Sequence, residues 1–191
     1  MMNRRTAITG LGIYLVGTLL TGNPFAFAGN EKEKLERKVK ELYNEPEDIL
    51  LAKMIFGEGR DCGMEERVWI GYTPINRITD GKSYTGKGSL NNVLLHPNQY
   101  KCFSLTTIKN RKNLRKVLTP KKYEPNKWDE CLFIARKIIE GKLDIFNKGQ
   151  VAYVAKWRLK ELEEENKKLG WLNEYISIDS KGFKHQFYKQ A

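Results

Sequence analysis

The stretch of sequence that decides the fold is residues 50–60, LLAKMIFGEGR. Leu51, Met54, Ile55 and Glu58 stand at positions i, i+3, i+4 and i+7, which places them on one face of an α-helix. That face is apolar apart from the carboxyl group of Glu58. A carboxyl group in such surroundings, near the negative end of the helix dipole, is expected to have a raised pKa. The stretch therefore predicts a buried helix that carries a carboxylic acid still protonated near neutral pH.

Glu58 combines these features in a way that suits acid catalysis. A protonated carboxyl group is what a general acid for glycosidic cleavage requires. Gly57 and Gly59 flank it without side-chain bulk, and we expect them to let a bulky polymer approach. The sequence leaves a second interpretation open, in which the helix ends early and Glu58 is a solvated residue in a glycine-rich turn.

The segments around this helix predict an α+β fold, mainly helical with a small antiparallel sheet near its end. Apolar periodicity, N-terminal caps and glycine stops predict helices over residues 31–43, 45–57, 64–77, 90–95, 128–140 and 156–168. Apolar runs predict a strand over 151–154 and a closing β-hairpin over 176–178 and 183–188.

Three features between these elements carry further expectations. Pro74 is expected to kink or shorten the helix over 64–77. Residues 98–105 are expected to be extended. Residues 106–127 are rich in Lys and Arg, with Glu124 as their single acid, and are expected to form a basic connector. This connector either grips an anionic polymer or is a solvated loop.

Length and composition exclude several classes of protein. A chain of 191 residues fits one domain with appendages and is long enough to fold without disulfides or a metal. Charged residues make up 30% and apolar residues 40%, which excludes a disordered tail and a multi-span membrane protein. The formal charge of +11 predicts a polyanionic partner, either nucleic acid or an envelope polymer.

The N-terminus predicts export. Arg4 and Arg5 precede an uncharged apolar run over residues 7–20, which is shorter than the roughly 20 residues needed to span a bilayer. Ala26-Phe27-Ala28 is a small-x-small cleavage pattern. We expect a signal peptide over residues 1–28, a linker and helix over 29–47 and the main domain over 48–191, with an uncleaved anchor as the alternative. Outside the cytoplasm, peptidoglycan or teichoic acid is a more accessible polyanion than DNA.

The cysteines and histidines predict no metal site and no cofactor. Cys62, Cys102 and Cys131 are odd in number, which favours three structural thiols over one disulfide with a free thiol. No C-x-x-C is present, and His96 and His185 are not spaced as metal ligands. Residues 81–87 match the start of a phosphate-binding loop, but the place of its Ser or Thr is taken by glycine and no strand precedes it, which excludes a nucleotide site.

Trp69, Tyr72 and Asn76 lie at i, i+3 and i+7 of the predicted helix over 64–77. Such a stripe either lines a sugar-binding groove or belongs to the core. The core interpretation is favoured, because aromatic residues at helical spacing are mostly buried.

The order of these segments resembles the spore cortex-lytic cell wall hydrolases of the SleB/CwlJ type. The similarity begins at residues 50–60 and continues without a gap to Asn76-Arg77. Residues 97–103 (PNQYKCF) are similar to a Gln-aromatic-Ser-Cys-aromatic segment of that family. The later matching blocks are residues 134–137 with Gly141, residues 149–153 (GQVAY) and residues 185–188 (HQFY). The resemblance covers residues 49–188.

Three positions depart from the family pattern. Ala152 stands where the family usually has His, Lys101 replaces a Ser, and Gly59 follows Glu58 where alanine is usual. The first departure removes any substrate contact made by that histidine, so it implies an altered substrate preference or a weaker activity.

The resemblance implies a lysozyme-like α+β fold and cleavage of peptidoglycan between N-acetylmuramic acid and N-acetylglucosamine, in spore cortex or in vegetative wall. It implies that Glu58 is the catalytic acid of a lytic transglycosylase. The resemblance and the helix spacing together give the substrate-binding candidates Glu65, Tyr72, Asn76, Gln99, Tyr100 and His185. Asn76 is alternatively a structural amide that satisfies loop backbone groups.

Simple hydrolysis would normally require a second carboxylate near the first. Asp61, Glu65 and Asp80 are near Glu58 in the sequence, but spacing cannot place their side chains. Two further functions stay open. One is a non-catalytic envelope-binding protein on the same fold, and the other is a basic nucleic-acid-binding protein, which requires the N-terminal segment to stay in the cytoplasm.

Overall fold

The computed structural model describes residues 24–80, 88–165 and 175–190. The fold over these residues is α+β, as the sequence predicts, with a helical body and a small antiparallel sheet. Most of the predicted signal peptide lies outside the described residues, and so do residues 81–87. The first helix begins at Pro24, so the expected cleavage point after Ala28 falls within it.

The helices and strands follow one another in chain order. The α-helices are α1 (Pro24–Glu41), α2 (Glu47–Gly59), α3 (Met64–Asp80), α4 (Leu90–Leu94), α5 (Ile108–Leu118), α6 (Pro120–Tyr123), α7 (Pro125–Ile139) and α8 (Lys156–Glu164). The strands are β1 (Gln150–Ala155), β2 (Tyr175–Ile178) and β3 (His185–Gln190). Short 3₁₀ helices lie at Leu42–Asn44, Lys101–Phe103 and Asp144–Phe146.

Helix α2 is the centre of the hydrophobic core. Five of its large apolar side chains are fully buried, namely Leu50, Leu51, Met54, Ile55 and Phe56, and Ile49 is partly buried. The helix packs against α3, α4, α5 and α7. The prediction of a buried helix is therefore confirmed. It ends at Gly59 rather than at Gly57, so Glu58 belongs to its last turn and the interpretation of an early helix end is wrong.

Gly71 allows three helices to meet at close range. A Cβ atom at this position would lie 2.5 Å from Cδ1 of Ile138 on α7 and 2.9 Å from Cδ1 of Ile55 on α2. Both distances are too short for real carbon contacts. The missing side chain of Gly71 therefore lets α3 approach α2 and α7 closely, which fixes the helical layer beneath the sheet.

The sheet has the strand order β1-β3-β2, and both outer strands run antiparallel to β3. The predicted strand and closing hairpin are confirmed, and the last strand lies in the centre of the sheet. Phe187 of β3 is fully buried, and its ring contacts the edge of Trp69 at a centroid distance of 5.3 Å. This contact fastens the sheet to α3.

Residues 106–127, predicted to be a connector, are mainly helical. Thr107 caps α5 by accepting a 3.0 Å hydrogen bond from the Asn110 N–H, and Pro120 and Pro125 begin the next two helices. Leu114 and Val117 are fully buried under a basic outer face. The many basic residues hide this narrow apolar stripe in the sequence.

The structure corrects two other local expectations, the second of them in part. Residues 98–105 are not a continuous extended segment, because the 3₁₀ turn of Lys101–Phe103 lies within them. Of the two effects expected of Pro74, only the shortening of α3 is wrong, since the helix continues through that residue to Asp80.

The predicted N-terminal helix packs onto the body through its apolar stripe, with Leu35 and Leu42 buried. All three cysteines are free and buried, the alternative that the sequence favours. Within the part of the chain that the structure describes, no helix combines the length and apolar character needed to cross a membrane.

Candidate active site

Glu58 lies in the last turn of α2, where its side chain meets the 3₁₀ turn that follows Tyr100. The backbone N–H of Cys102 donates a 2.7 Å hydrogen bond to Oε1 of Glu58. The main chain therefore fixes one of the two carboxyl oxygens in position.

The two glycines beside Glu58 serve the packing of the protein itself. A Cβ atom on Gly57 would lie 2.3 Å from Cβ of Cys102 and 2.8 Å from Cγ2 of Val117. A Cβ atom on Gly59 would lie 2.8 Å from Cδ1 of Ile70. The expectation that these glycines make room for a polymer is wrong. Gly57 instead lets the 3₁₀ turn approach α2 closely enough for its N–H to reach Glu58.

Burial raises the pKa of the Glu58 carboxyl above its ordinary value. The hydrogen bonds from Cys102 and the positive charges of His185 and Lys101 act in the opposite direction and are weaker. The raised pKa expected from the sequence is thus supported, with removal from water as its main cause. The carboxyl group is suited to donate a proton at a pH where an exposed glutamate is ionised.

Two tyrosines share the environment of Glu58. Burial raises the pKa of Tyr100 to about 12 and that of Tyr153 well above its ordinary value, and in both cases the charge of Glu58 adds to the rise. Both phenols are therefore protonated at neutral pH. Tyr153, on β1, was not among the sequence-based candidates, although it stands in one of the matching blocks.

Arg77 organises the wall beside Tyr100. Its Nε donates a 2.6 Å hydrogen bond to the carbonyl oxygen of Val151, and its Nη1 donates one of 3.0 Å to Oε1 of Gln99. The guanidinium carbon lies 5.1 Å from the ring centroid of Tyr100. The candidates Gln99 and Tyr100 are thus held side by side by one buried cation, which the sequence-based candidates did not include.

Two candidates on α3 are occupied by structural contacts. Tyr72 is 2% exposed and its hydroxyl donates a 2.8 Å hydrogen bond to Oδ1 of Asp144. Nδ2 of Asn76 donates to the carbonyl oxygen of Gln150 at 2.8 Å and to Oδ1 of Asn147 at 2.9 Å. Asn76 is therefore a structural amide, which is one of the two alternatives that the sequence leaves open.

The sugar-groove interpretation of this stripe is wrong, because Trp69 is also in the core. It is 5% exposed and packs edge-on against Phe183 at 5.1 Å.

Glu65 is exposed in the first turn of α3, and it is the next residue, Glu66, that reaches inward. Oε1 of Glu66 lies 2.8 Å from Nδ1 of His185 and accepts a 2.9 Å hydrogen bond from the backbone N–H of the same histidine. No local pattern marks this contact, because 119 residues separate the two in sequence.

Cys62 completes a cluster with Glu66 and His185, called the thiol cluster below. Its Sγ lies 3.9 Å from Nδ1 of His185, and one donor atom of each residue lies within 4.8 Å of the other two. Burial, then the charge of Glu66, raises the pKa of Cys62 to about 12. These three side chains could hold a metal ion, a possibility that the spacing of the histidines in the sequence did not indicate.

His185 connects the thiol cluster with the surroundings of Glu58. Its ring stacks edge-on against Tyr153 with the centroids 5.3 Å apart, and its charge acts on the Glu58 carboxyl. Ala152, where the resembled family has histidine, is itself 7% exposed and pairs with Tyr188 across the sheet. The position thus contributes a buried methyl group.

None of the three acids considered as a second carboxylate is among the main influences on the pKa of Glu58. Its strongest charge effects come from His185 and Lys101, both of which lower its pKa. A nearby carboxylate would raise it. Asp61 and Glu65 are both exposed.

A cleft of about 480 Å³ lies between α1 and residues 95–106, and Glu58 is not among the residues that line it. Tyr100 and Phe103, on either side of the Cys102 turn, both line it, together with Lys32 and Arg111. This cleft places basic side chains beside the aromatic segment.

Comparison with known proteins adds no relative, since no family model, no curated protein and no solved structure matches the chain.

Proposed function

We propose that the protein cleaves the glycan strands of peptidoglycan between N-acetylmuramic acid and N-acetylglucosamine, as a lytic transglycosylase with Glu58 as its acid. The observation that carries the proposal is the Glu58 carboxyl, which is held by the Cys102 N–H and has a pKa raised by burial. The identity of the substrate and of the bond that is cleaved is inferred from the resemblance of residues 49–188 to cortex-lytic hydrolases.

In the first half of the reaction, Glu58 donates its proton to the glycosidic oxygen as the bond to C1 of the muramic acid breaks. The N-acetylglucosamine hydroxyl leaves, and positive charge develops on the muramic ring. The Glu58 carboxylate that remains is stabilised by the Cys102 N–H and by the positive charge of Lys101.

In the second half, the carboxylate accepts the proton of the C6 hydroxyl of the same muramic acid. The C6 oxygen bonds to C1, which gives a 1,6-anhydro end and restores the acid. One carboxylate serves both steps because the nucleophile belongs to the substrate. The charges acting on Glu58 agree with a single-carboxylate site, because the strongest of them are positive.

Two protonated phenols beside Glu58 are suited to hold the glycan. The Tyr153 side chain is partly exposed and is therefore the better placed of the two to meet a sugar, whereas Tyr100 is 3% exposed. His185, partly exposed at the start of β3, is the third group on this side of the site.

The charge and the N-terminus support a location outside the cytoplasm, either secreted or in the cell envelope. Ala26-Phe27-Ala28 is a cleavage pattern, and the remaining chain stays strongly basic. Anionic envelope polymers are therefore proposed as further partners, with no nucleic acid partner. Finding the mature protein outside the cell membrane, with Gly29 as its first residue, would exclude the nucleic-acid alternative.

A non-catalytic envelope-binding protein is the second candidate, and the observation that favours it is the buried Ala152 at the position of the family histidine. Purified sacculi from vegetative wall and from spore cortex distinguish the two. We expect wild-type protein to clear a suspension of sacculi. Glu58→Gln should clear it at a rate at least about 100-fold lower, while it still sediments with the sacculi.

Glu47→Gln is the matched control, since it makes the same change at an exposed position of the same helix. It should keep the wild-type rate. Wild-type protein that sediments with every wall but clears none would contradict the enzyme proposal and favour the binding protein.

A further inference from the structure

We propose that Cys62, Glu66 and His185, the thiol cluster, form a binding site for one divalent transition-metal ion, with zinc as the ion that fits the donors. Binding itself does not depend on the proposed function. The site lies where the α2–α3 turn, the first turn of α3 and the start of β3 meet.

The three donor atoms are already nearly at the spacing of zinc ligands. Sγ of Cys62 and Oε1 of Glu66 lie 3.9 Å and 2.8 Å from Nδ1 of His185, and one donor atom of each residue lies within 4.8 Å of the other two. Bonds of about 2.3 Å to sulfur and about 2.0 Å to nitrogen and oxygen put the ligands of a tetrahedral zinc ion roughly 3.3–3.5 Å apart. The two distances to Nδ1 need to change by only about half an ångström, and the separation of the sulfur and oxygen donors, at most 4.8 Å, by up to about 1.3 Å. The ion replaces the thiol proton of Cys62 and the proton shared between Nδ1 and Oε1, and both protons leave to solvent.

The backbone holds these residues without help from an ion. The Cys62 N–H donates a 2.9 Å hydrogen bond to the carbonyl oxygen of Gly59, which closes the turn that carries the thiol. Oε1 of Glu66 also accepts the 2.9 Å hydrogen bond from the His185 N–H. Such outer contacts orient the ligands of metal sites. The site is therefore largely preformed.

The residue types favour zinc over harder ions. A thiolate and an imidazole select zinc and its neighbours among the transition metals, whereas magnesium and calcium prefer oxygen donors. Cys62 and Glu66 are 7% and 3% exposed, and His185 is partly exposed. An ion there would have three protein ligands and a fourth position for water or another small ligand.

A catalytic cysteine is a poorer explanation of the same cluster. In a nucleophilic relay the thiol and the orienting acid contact opposite nitrogens of the histidine. Here both Cys62 and Glu66 contact Nδ1. One shared nitrogen suits an ion at the centre of three donors better than a proton relay through the ring.

Cobalt provides the test, since Co²⁺ bound to a thiolate shows a charge-transfer band that oxygen and nitrogen ligands do not give. The purified full-length chain should bind one Co²⁺ per molecule and then show this band. Added Zn²⁺ should displace the Co²⁺ and remove the band. Cys62→Ser should abolish the band and weaken binding of Zn²⁺ by at least about 100-fold, measured by calorimetry. Cys131→Ser, which changes another buried thiol, should leave both unchanged.

If Cys62→Ser does not fold, measurements on the wild-type protein alone can test the proposal. X-ray absorption at the zinc edge should show one sulfur and two nitrogen or oxygen protein ligands. Folded wild-type protein that binds no stoichiometric Zn²⁺, or bound zinc without a sulfur ligand, would overturn the site. Zinc binding in a protein that cleaves no wall would leave the site standing, because the site does not depend on the proposed function.

Discussion

The backbone N–H of Cys102 donates a 2.7 Å hydrogen bond to Oε1 of Glu58, across 44 residues of sequence. This contact joins the end of the central helix to the 3₁₀ turn of Lys101–Phe103. It fixes the orientation of the carboxyl, while burial raises the pKa of the same group. The predictions below examine what holds this contact in place and what it does.

Gly57 permits the contact, so Gly57→Ala is expected to disturb it. The new methyl group would meet Cβ of Cys102 at 2.3 Å and must push the 3₁₀ turn away. We expect a loss of about 1–3 kcal/mol in the free energy of unfolding, measured by urea denaturation, and a larger relative loss of cleavage.

Gly63→Ala is the control, because no atom lies within 4 Å of a Cβ at that position. It should change stability by no more than about 0.5 kcal/mol. Equal losses in the two variants would show that the close approach at Gly57 has no special importance.

Glu58→Gln is expected to change how stability depends on pH. The pKa of Glu58 is raised in the fold, so the protonated form is favoured and its stabilising contribution is complete below the ordinary value of 4.5. That contribution is lost as the pH rises through the raised pKa, because the folded state must then hold an ionised carboxyl in a buried position. The glutamine carries no such charge and can still accept the Cys102 N–H.

Melting temperatures of the two proteins at pH 4 and pH 8 measure this effect. The advantage of Glu58→Gln over wild type should grow toward pH 8 and shrink toward pH 4. A difference that is independent of pH would mean that the carboxyl is not held in its neutral form.

Asn76→Ala separates a structural amide from a substrate contact. The side chain holds the start of β1 through the carbonyl oxygen of Gln150. We expect a loss of about 1–3 kcal/mol in stability, with cleavage within a few-fold of wild type at a temperature where both proteins are folded. Asn126→Ala, at an exposed position of α7, should alter neither quantity. Unchanged stability with lost cleavage would instead place Asn76 in the glycan site.

The exposed lysines of residues 106–127 are expected to attract the anionic wall. We expect their replacement by Gln to weaken sedimentation with sacculi at least about tenfold at low salt, with the difference vanishing in high salt. The residues to change are Lys109, Lys112, Lys121 and Lys122. The control changes four exposed lysines elsewhere, Lys142, Lys148, Lys181 and Lys189. Equal weakening in both variants would indicate that only the net charge matters.

Local sequence was enough to predict the central helix, the closing hairpin and the unusual position of Glu58, because each depends on periodicity within a few residues. The helices of residues 106–127 were missed, since Leu114 and Val117 form too narrow an apolar stripe among many basic side chains. The interpretation of Gly57 was wrong for a different reason. The atoms that exclude a side chain there belong to Cys102 and Val117, far along the chain.

Long-range contacts also explain what sequence could not give at the candidate site. Glu66 and His185 meet only through the fold. Glu65 is the candidate that the family resemblance gives, and the resemblance does not show that its neighbour Glu66 is the acid that points inward. The thiol cluster was invisible for the same reason. A spacing rule for metal ligands applies to residues of one segment, whereas these donors come from three.

The central claim is that Glu58 cleaves glycan strands with the substrate as its own nucleophile. Mass analysis of the muropeptides released from purified vegetative and cortex peptidoglycan tests this most directly. We predict products that end in 1,6-anhydro-muramic acid with wild-type protein and none with Glu58→Gln. Products with reducing muramic ends would contradict the transglycosylase mechanism and require a second carboxylate, and the same products from both proteins would contradict the role of Glu58.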